Sequence, residues 1–589
     1  MQQKYSISSK TSIVILTYNK LDYTQACIES IRKYTKKGIY QLIVVDNLST
    51  DGTREWLAEQ TDILTIFNNE NVGFPKGCNQ GIEVATGDDI LLLNNDVLVT
   101  ENWLELMKDC LYSSEKIGAV GPVTNSAYGD QEIPFSYSTL DEMWSFSNNY
   151  NLTTMPDWEQ KLKLIGFCML IKREVIDQVG LLDEMFSPGM CEDSDYSFRI
   201  IKAGYQLFLC RNVFIHHFGS TSFGDMPEKR QQLWNHNREK FEEKWGFHTA
   251  QHTQAREDLV GQIDERDSQK NIRVLDIGCA CGASLLKIMH HYPNAEVYGV
   301  EKNAEAASIA SAFGQITVGD AEEITYPAEY FDYILLGDVL HQLIDPLNLL
   351  IKLKEALKQE GALIASVPNA SHYSVIYSLL KNRSLYNSGN KEISHLFTIQ
   401  DIQLLFEESG YGKLDINLVS SHMSDVESQF VAQLITIAGL KDASHLAADK
   451  YMIRAERRDA LSPNVDLTSL LIQISQGETE APVLLIIEKL VDQSIGTDVL
   501  IESVSSMDVD KQRLLNVLVN HFYTHGRFND IIPLLNASLE IDNKHHDTLF
   551  NYAFILYQVG ANADAIRYLE FMDEKDDQAA RLYQVLIES

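Results

Sequence analysis

The run DDILLLNNDV, residues 88–97, decides the first fold. Its apolar stretch, Ile90–Leu93, reads as a buried strand that ends in Asn94, Asn95 and Asp96. Two earlier runs have the same form. SIVILTYNK, residues 12–20, ends the strand Ser12–Leu16 in Thr17, Tyr18 and Asn19, and LIVVDNLSTDGT, residues 42–53, ends the strand Gln41–Val45 in Asp46. Leu64–Phe67 reads as a further strand, with helices over Asp22–Tyr34, Thr53–Gln60 and Gly77–Ala85. Buried strands alternating with amphipathic helices predict a mostly parallel sheet whose ligands lie beyond the strand C-terminal ends. Asp88 and Asp89 precede their strand and read as a solvated turn. Asp51 and Gly52 read as a cap and turn for the next helix.

The polar residues at these strand ends carry the chemistry. Tyr18 offers an aromatic face, and Thr17 and Asn19 offer polar groups, to a nucleoside. Asp46, as an exposed strand-end carboxylate, can accept from a nucleobase N–H or a ribose hydroxyl. NENVGFPKGCNQGI, residues 69–82, sets Asn71, Gly73, Gly77, Asn79 and Gly81 around a helix start, where small residues admit a ligand and the helix N-terminus favours phosphate. A hard divalent cation takes oxygen ligands, and Asp96 with two diphosphate oxygens and waters is a usual magnesium or manganese arrangement. Further on, MCEDSD at 190–195 leads through Phe198 to Arg199.

This succession resembles the family 2 glycosyltransferases of the GT-A fold, particularly bacterial rhamnosyltransferase-like members, over residues 10 to about 245. The resemblance implies a nucleotide-sugar donor held by Thr17, Tyr18, Asn19, Asp46, Asn71, Gly73, Asn79 and Asn95. It implies Mg2+ or Mn2+ on Asp96, in the position of the family's Asp-x-Asp signature, with Asn94 in place of the first acid. It places the general base of an inverting transfer on Asp193, with Glu192 and Asp195 orienting it or touching the acceptor. Ile215–Gly219, IHHFG, resembles the family's terminal His segment, which supplies a metal or diphosphate contact. His216 and His217 both remain candidates for it, the spacing favouring His217.

A second α/β unit opens with RVLDIGCACG, residues 273–282: a strand, a glycine-bearing turn, then a helix from Ser284. The next strand, Glu296–Val300, ends in Glu301, and Gly319-Asp320 follows a third. An acid about 20 residues after such a turn suits a ribose diol. This unit resembles class I S-adenosylmethionine-dependent methyltransferases. The resemblance implies that Asp276, Gly278, Gly282, Glu301 and Asp320 bind S-adenosylmethionine, with Ala280 replacing a usual glycine. Asp338, His341 and His372 are either substrate-facing or loop polarity. A dinucleotide-dependent oxidoreductase is the competing chemistry, weakened by the single incomplete glycine turn.

Beyond Lys441 helical periodicity takes over, and Tyr523, Gly526, Asp530, Ile532 and Leu535 recur as Tyr557, Gly560, Asp564, Ile566 and Leu569. That 34-residue period resembles a tetratricopeptide repeat. The expected architecture is therefore multidomain α/β plus α: a GT-A domain over 1–248, a linker over 249–271, a methyltransferase-like domain over 272–440 and a helical, repeat-like domain over 441–589. A net charge of -34 argues against nucleic acid as a partner. Eight cysteines without a framework spacing, and no apolar run of membrane-spanning length, predict a soluble, cytoplasmic protein, peripheral at most to a membrane. The expected partners are a nucleotide-sugar donor and a glycan or protein acceptor, flagellin or another surface protein included. The alternative from another class is a non-catalytic scaffold built from degenerate enzyme folds.

Overall fold

The computed structural model describes residues 9–151, 156–219, 227–383, 394–440, 444–457, 467–477, 480–491, 495–507 and 509–588. Residues 1–458 form one compact unit and 459–589 another.

Within the first unit the N-terminal sheet has eight strands in the order β3-β2-β1-β4-β8-β6-β9-β7. They are β1 Thr11–Thr17, β2 Tyr40–Asp46, β3 Ile63–Phe67, β4 Asp89–Asn94, β6 Ile117–Val123, β7 Trp158–Lys161, β8 Cys168–Lys172 and β9 Gln206–Phe214. A separate pair joins β5, Val97–Leu98, to β10, His216–His217. β2, β1 and β4 run parallel, and the register sets Thr17 opposite Asp46 and Leu16 opposite Asn94. The three polar strand ends read from the sequence therefore share one edge. The middles of the central strands, Ile13–Leu16, Leu42–Val45 and Ile90–Leu93, are continuously apolar, as suits strands buried on both faces of a sheet. Asp89 is not in a solvated turn: it is buried, hydrogen-bonded by Tyr112 Oη at 2.8 Å and paired with Lys108 at 3.3 Å. Gly52 is the N-cap of the helix Thr53–Ala58, and Asp51 just before it accepts from Thr53 N at 3.2 Å and Leu21 N at 2.9 Å.

The second sheet has seven strands in the order β13-β12-β11-β14-β15-β17-β16. These are β11 Arg273–Ile277, β12 Glu296–Glu301, β13 Gln315–Val318, β14 Phe331–Gly337, β15 Leu357–Pro368, β16 Tyr411–Val419 and β17 Lys450–Arg457. Two expected boundaries shift. Strand β17 lies past residue 440 yet pairs antiparallel with both β15 and β16, so this sheet ends only at Arg457. Residues 249–271 are a packed part of the domain rather than a linker. Leu259, Val260 and Ile263 enter the core beneath β11, at a helical spacing that polar neighbours disguise.

The two sheets belong to one body. A single apolar cluster joins Tyr196, Phe198, Phe241, Trp245 and Phe247 of the first domain to Cys281, Leu286, Ala306 and Ile309 of the second. All eight cysteines are buried and free, and among the described residues no helix is long and apolar enough to cross a membrane.

The unit at 459–589 is helical throughout its described residues. The sequence echo falls on two helix pairs, Lys511–Thr524 with Phe528–Ile541 and His546–Gln558 with Asn562–Glu570. Gly526 and Gly560, at φ +71 and +79, make the left-handed turns.

A chain cut after residue 248 loses the cover over Trp245 and Phe247, each worth about 1.5–3 kcal/mol of burial. In calorimetry it is expected to melt roughly 5–10 °C below a chain of residues 1–457. Equal melting temperatures would show that the N-terminal domain does not depend on this junction.

Candidate functional site

The first site is assembled at the edge shared by β1, β2 and β4. Thr17 Oγ1 lies 2.9 Å from Thr24 Oγ1, and the Asn95 amide donates to both hydroxyls, at 3.3 and 3.0 Å. Asn95 thus ties two strand ends together. Tyr18 is half-exposed, whereas the Asn19 side chain accepts from Thr50 N at 2.8 Å and its backbone N–H donates to Ser49 Oγ at 2.7 Å. Asp46 stands where expected but is buried, not exposed. Arg54 Nη1 contacts it at 2.7 Å, and Leu48 N and Ser49 N donate to it. Its carboxylate shapes the loop at 47–49, and the Arg54 guanidinium, lying over the Phe67 ring at 4.9 Å, forms the more accessible surface.

Asn71 accepts from Gly73 N at 3.0 Å, and Gly73 has φ +84. A Cβ there would meet Pro188 Cα at 2.9 Å, so only glycine lets the loop at 187–191 pack against it. Asn79 does not face a donor. Its amide is used up on the far side, donating to Leu182 O and accepting from Leu182 N, both at 2.9 Å.

Asp96 leaves β4 and meets His217 on β10, with Nε2 3.2 Å from Oδ1. His217 Nδ1 lies 2.7 Å from Ser126 O, which fixes the tautomer, and its ring stacks on Phe167 at 5.2 Å. Burial works to lower the His217 pKa, but the Asp96 carboxylate outweighs it and holds it above the ordinary value. His216 turns away to Tyr137 Oη at 2.7 Å, and burial with the neighbouring His217 takes it down to about 4. The pair faces are therefore distinct, and His217 is the one that meets Asp96. Among the described residues there is no group of three or more His, Cys, Asp or Glu side chains placed to hold a metal. One carboxylate and one imidazole nevertheless fit a cation whose other ligands come from a diphosphate and water.

The segment Gly166–Phe167 connects this pair to the acids of the helix Glu192–Lys202. Phe167 O accepts from Asn94 N at 2.9 Å, while Gly166 N donates to Asp193 Oδ2 at 3.1 Å. Asp96 and Asp193 thus flank one short turn of chain. Met190 and Cys191, just before the acids, have φ of +80 and +72, a strained entry for two residues with side chains. Glu192 is buried, with Oε2 lacking a hydrogen-bond partner, and burial together with the Asp193 charge pushes its carboxyl up to about 8. Asp195 is fully buried and touches no open surface. It is held by Arg199 Nε at 2.9 Å, Lys244 Nζ at 2.5 Å and Trp245 Nε1 at 3.0 Å. It anchors the helix and is not positioned to meet an acceptor.

The second site is a cavity of about 850 Å3 at the C-terminal edge of β11, β12 and β14. Asp276, Gly278, Ala280, Glu301 and Asp320 line it, with Asp338 and His341. Glu301 accepts from Ala280 N at 2.9 Å and Asn303 N at 2.8 Å. Burial pushes the Asp276 carboxyl up to about 7, with Arg256 acting against that shift. Gly282 is not in the lining. A Cβ there would meet Ala310 at 3.2 Å, so its smallness serves helix packing. His372 also lies elsewhere, 3.4 Å from Asp449. Arg256, from the stretch read as a linker, reaches across to Asp338 at 2.9 Å and Ser366 at 2.6 Å, and Cys281 N donates to His252 O at 3.1 Å. The fit to S-adenosylmethionine is one of chemistry: a buried acid for an ammonium, and a second acid with free lone pairs for a diol.

Two family models match, one for each domain. Residues 12–180 match glycosyl transferase family 2, and residues 238–415 match a methyltransferase domain. Over the glycosyltransferase domain the chain is 27% identical across 247 residues to an uncharacterized protein, y4gI, of Sinorhizobium fredii. That match covers 38% of this chain and only 26% of the relative. It is 25% identical across 229 residues to the glycosyltransferase AglE of Haloferax volcanii, covering 37% of this chain and 70% of AglE. Among solved structures, a Pyrobaculum calidifontis mannosyltransferase in complex with GDP-Man and Mn2+ aligns with a TM-score of 0.28 at 19% identity, over 36% of this chain and 57% of that one. Both domains thus have enzyme families as relatives, and the two-sheet architecture with a helical C-terminal region stands as read from the sequence.

The Glu192 shift has a sign that can be measured. Its charged form is disfavoured in the fold, so the cost is absent near pH 4 and grows as pH rises from the ordinary 4.5 toward about 8. Glu192→Gln removes that cost. The variant's melting temperature should therefore gain on the native protein's with each step of pH between these values. A difference that does not vary with pH would mean Glu192 is solvated.

Proposed function

We propose that the first domain transfers a sugar from a nucleoside diphosphate donor, with inversion, to a glycan or protein acceptor. We propose further that the second domain binds S-adenosylmethionine. The observation that supports the first reading is the meeting of Asp96 with His217 at one end of the turn Gly166–Phe167, and of Asp193 at the other. Thr17, Tyr18, Asn19 and the Asp46–Arg54 pair bound the nucleoside end. Asn71 and Gly73 bring backbone close to the diphosphate.

Asp96 and His217 would hold Mg2+ or Mn2+, which neutralises charge on the departing diphosphate when bound. Asp193 is the general base. Among the described residues its oxygens accept from Gly166 N and the Ser194 N–H and hydroxyl, which leaves lone pairs for an acceptor hydroxyl. A carboxylate suffices, because attack on an oxocarbenium-like centre is late and asks for modest basicity. Glu192, neutral over much of the physiological range, adds no second negative charge beside the base. A deoxyhexosyl donor, as the rhamnosyltransferase-like pattern implies, is the finer reading. A surface glycan or a protein such as flagellin is the acceptor class, with the 34-residue helical pairs offering a peptide-holding surface of tetratricopeptide type. In the second domain Asp276, Gly278, Glu301 and Asp320 take the cofactor, and Asp338 with His341 face the methyl acceptor.

A scaffold would not need to keep Glu192 buried beside Asp193 with its Oε2 lacking a hydrogen-bond partner, at a cost to stability. Incubated with a panel of nucleotide sugars and Mn2+, the full chain should release nucleoside diphosphate slowly. Asp193→Asn should cut that rate by roughly 10²–10⁴-fold while leaving nucleotide affinity in place. Asp96→Asn should abolish the tightening of Mn2+ binding that a nucleoside diphosphate brings. If no donor is bound or hydrolysed, the scaffold reading takes over.

A further inference from the structure

The cofactor acid Glu301 and the base Asp193 belong to different domains, yet a short chain of contacts joins them. Glu301 Oε1 accepts from Asn303 N at 2.8 Å. The Asn303 side chain then does two jobs. Its Oδ1 caps the helix Ala304–Ala310, accepting from Glu305 N and Ala306 N at 3.0 Å. Its Nδ2 donates across the domain boundary to Gly246 O at 2.8 Å. Gly246, at φ +71, makes the turn directly after Trp245, and a Cβ there would meet Glu305 Cγ at 3.4 Å. Trp245 donates its indole N–H to Asp195, two residues beyond Asp193 on the first turn of the same helix. The far end of that helix is fastened to the same place, since Lys202 Nζ lies 3.1 Å from Glu305 and 5.0 Å over the Trp245 ring. The helix carrying the base is thus held at its last residue by Glu305, and near its first turn by Trp245, whose neighbour Gly246 accepts from Asn303.

We propose that a nucleoside ligand in the methyltransferase-like cavity favours glycosyl transfer, and that Asn303 and Trp245 are the positioning residues that transmit it. This rests on the reading of both sites given above. A ribose diol that engages Glu301 orders the Glu301–Asn303 turn, and through Gly246 O and the indole it narrows the orientations open to Asp193. Binding free energies couple reciprocally, so a nucleoside diphosphate with Mn2+ in the first site must tighten the second by the same factor.

Asn303→Asp separates the two jobs of the side chain. Aspartate is as good a helix cap as asparagine, so the fold is kept, but it offers no N–H to Gly246 O. Calorimetry on the full chain titrates S-adenosylhomocysteine with and without a nucleoside diphosphate and Mn2+, the base chosen from UDP, dTDP and GDP by the donor panel, and then the reverse. The native protein should show about a 5- to 10-fold tightening in both directions. Donor hydrolysis should rise in kcat by a similar factor on adding S-adenosylhomocysteine, with KM little changed. In Asn303→Asp the factor should fall to one in both assays, with melting temperature retained. If both ligands bind but their affinities are independent, or if Asn303→Asp keeps the coupling, the proposal is wrong and the two site readings survive. If S-adenosylhomocysteine gives no heat at all, the cofactor reading falls and takes the proposal with it.

Discussion

Asp195 is the constraint on which the arrangement of this molecule depends. A fully buried carboxylate is costly unless charge and hydrogen bonds surround it, and here Arg199, Lys244 and the Trp245 indole all converge on it. Each partner comes with consequences. Arg199 is one turn along the same helix, so it sets the axis. Lys244 and Trp245 close the helix Pro227–Trp245, so satisfying Asp195 draws that helix across Phe198, against which its Phe241 and Trp245 rings pack. Once Trp245 is fixed, Phe247 and Gly246 must meet the second domain, where Ala306 and Ile309 complete the cluster. A residue that the acidic motif offers as a candidate for acceptor contact therefore organises the junction of two domains.

The strand ends were legible in the sequence for a simple reason. An apolar run buried on both faces has no polar residue to spare until it leaves the sheet, so Thr17, Asp46 and Asp96 mark the edge by contrast alone. The parallel register then brings them level. What a residue does at that edge was less legible. Asp46 and Asn79 occupy the right segments, but their hydrogen bonds are spent on Arg54 and on Leu182, partners that no local spacing connects to them. Asp89 looked solvated because Asp88 beside it is, and only the fold shows Tyr112 and Lys108 reaching it. Spacing gave His217 only a slight preference over His216, and the strand that turns one toward Asp96 and the other toward Tyr137 separates them.

The stretch at 249–271 misleads for a related reason. Its charged residues outnumber its apolar ones, which is the composition of a linker, yet the few apolar side chains fall where one face of a short helix needs them. Its charges are equally engaged. Arg256 sits between Asp258, Asp338 and Ser366, and Lys450 also reaches Asp258 at 2.5 Å. Composition averages over a segment, whereas packing depends on a periodic minority of it. The same reasoning explains β17, whose alternating KYMIRAER pattern lies close to helical sequence and becomes a strand because β15 and β16 leave a slot between them.

The two sites differ in how their acids are balanced, and the difference follows from position. At the first, Asp96 has an imidazole beside it and Asp193 receives backbone N–H groups. At the second, burial carries the Asp276 carboxyl up to about 7, with the Arg256 charge acting against that shift. A site of that kind gains most from a ligand that is itself positively charged, because each such ligand replaces missing solvation for the acid. Glu301, by contrast, already holds two backbone N–H groups and is suited to neutral hydroxyls. In the proposed cofactor reading, Asp276 would take an ammonium and Glu301 a diol. Asn303, in the same turn as Glu301, donates its side-chain N–H to Gly246 O of the neighbouring domain.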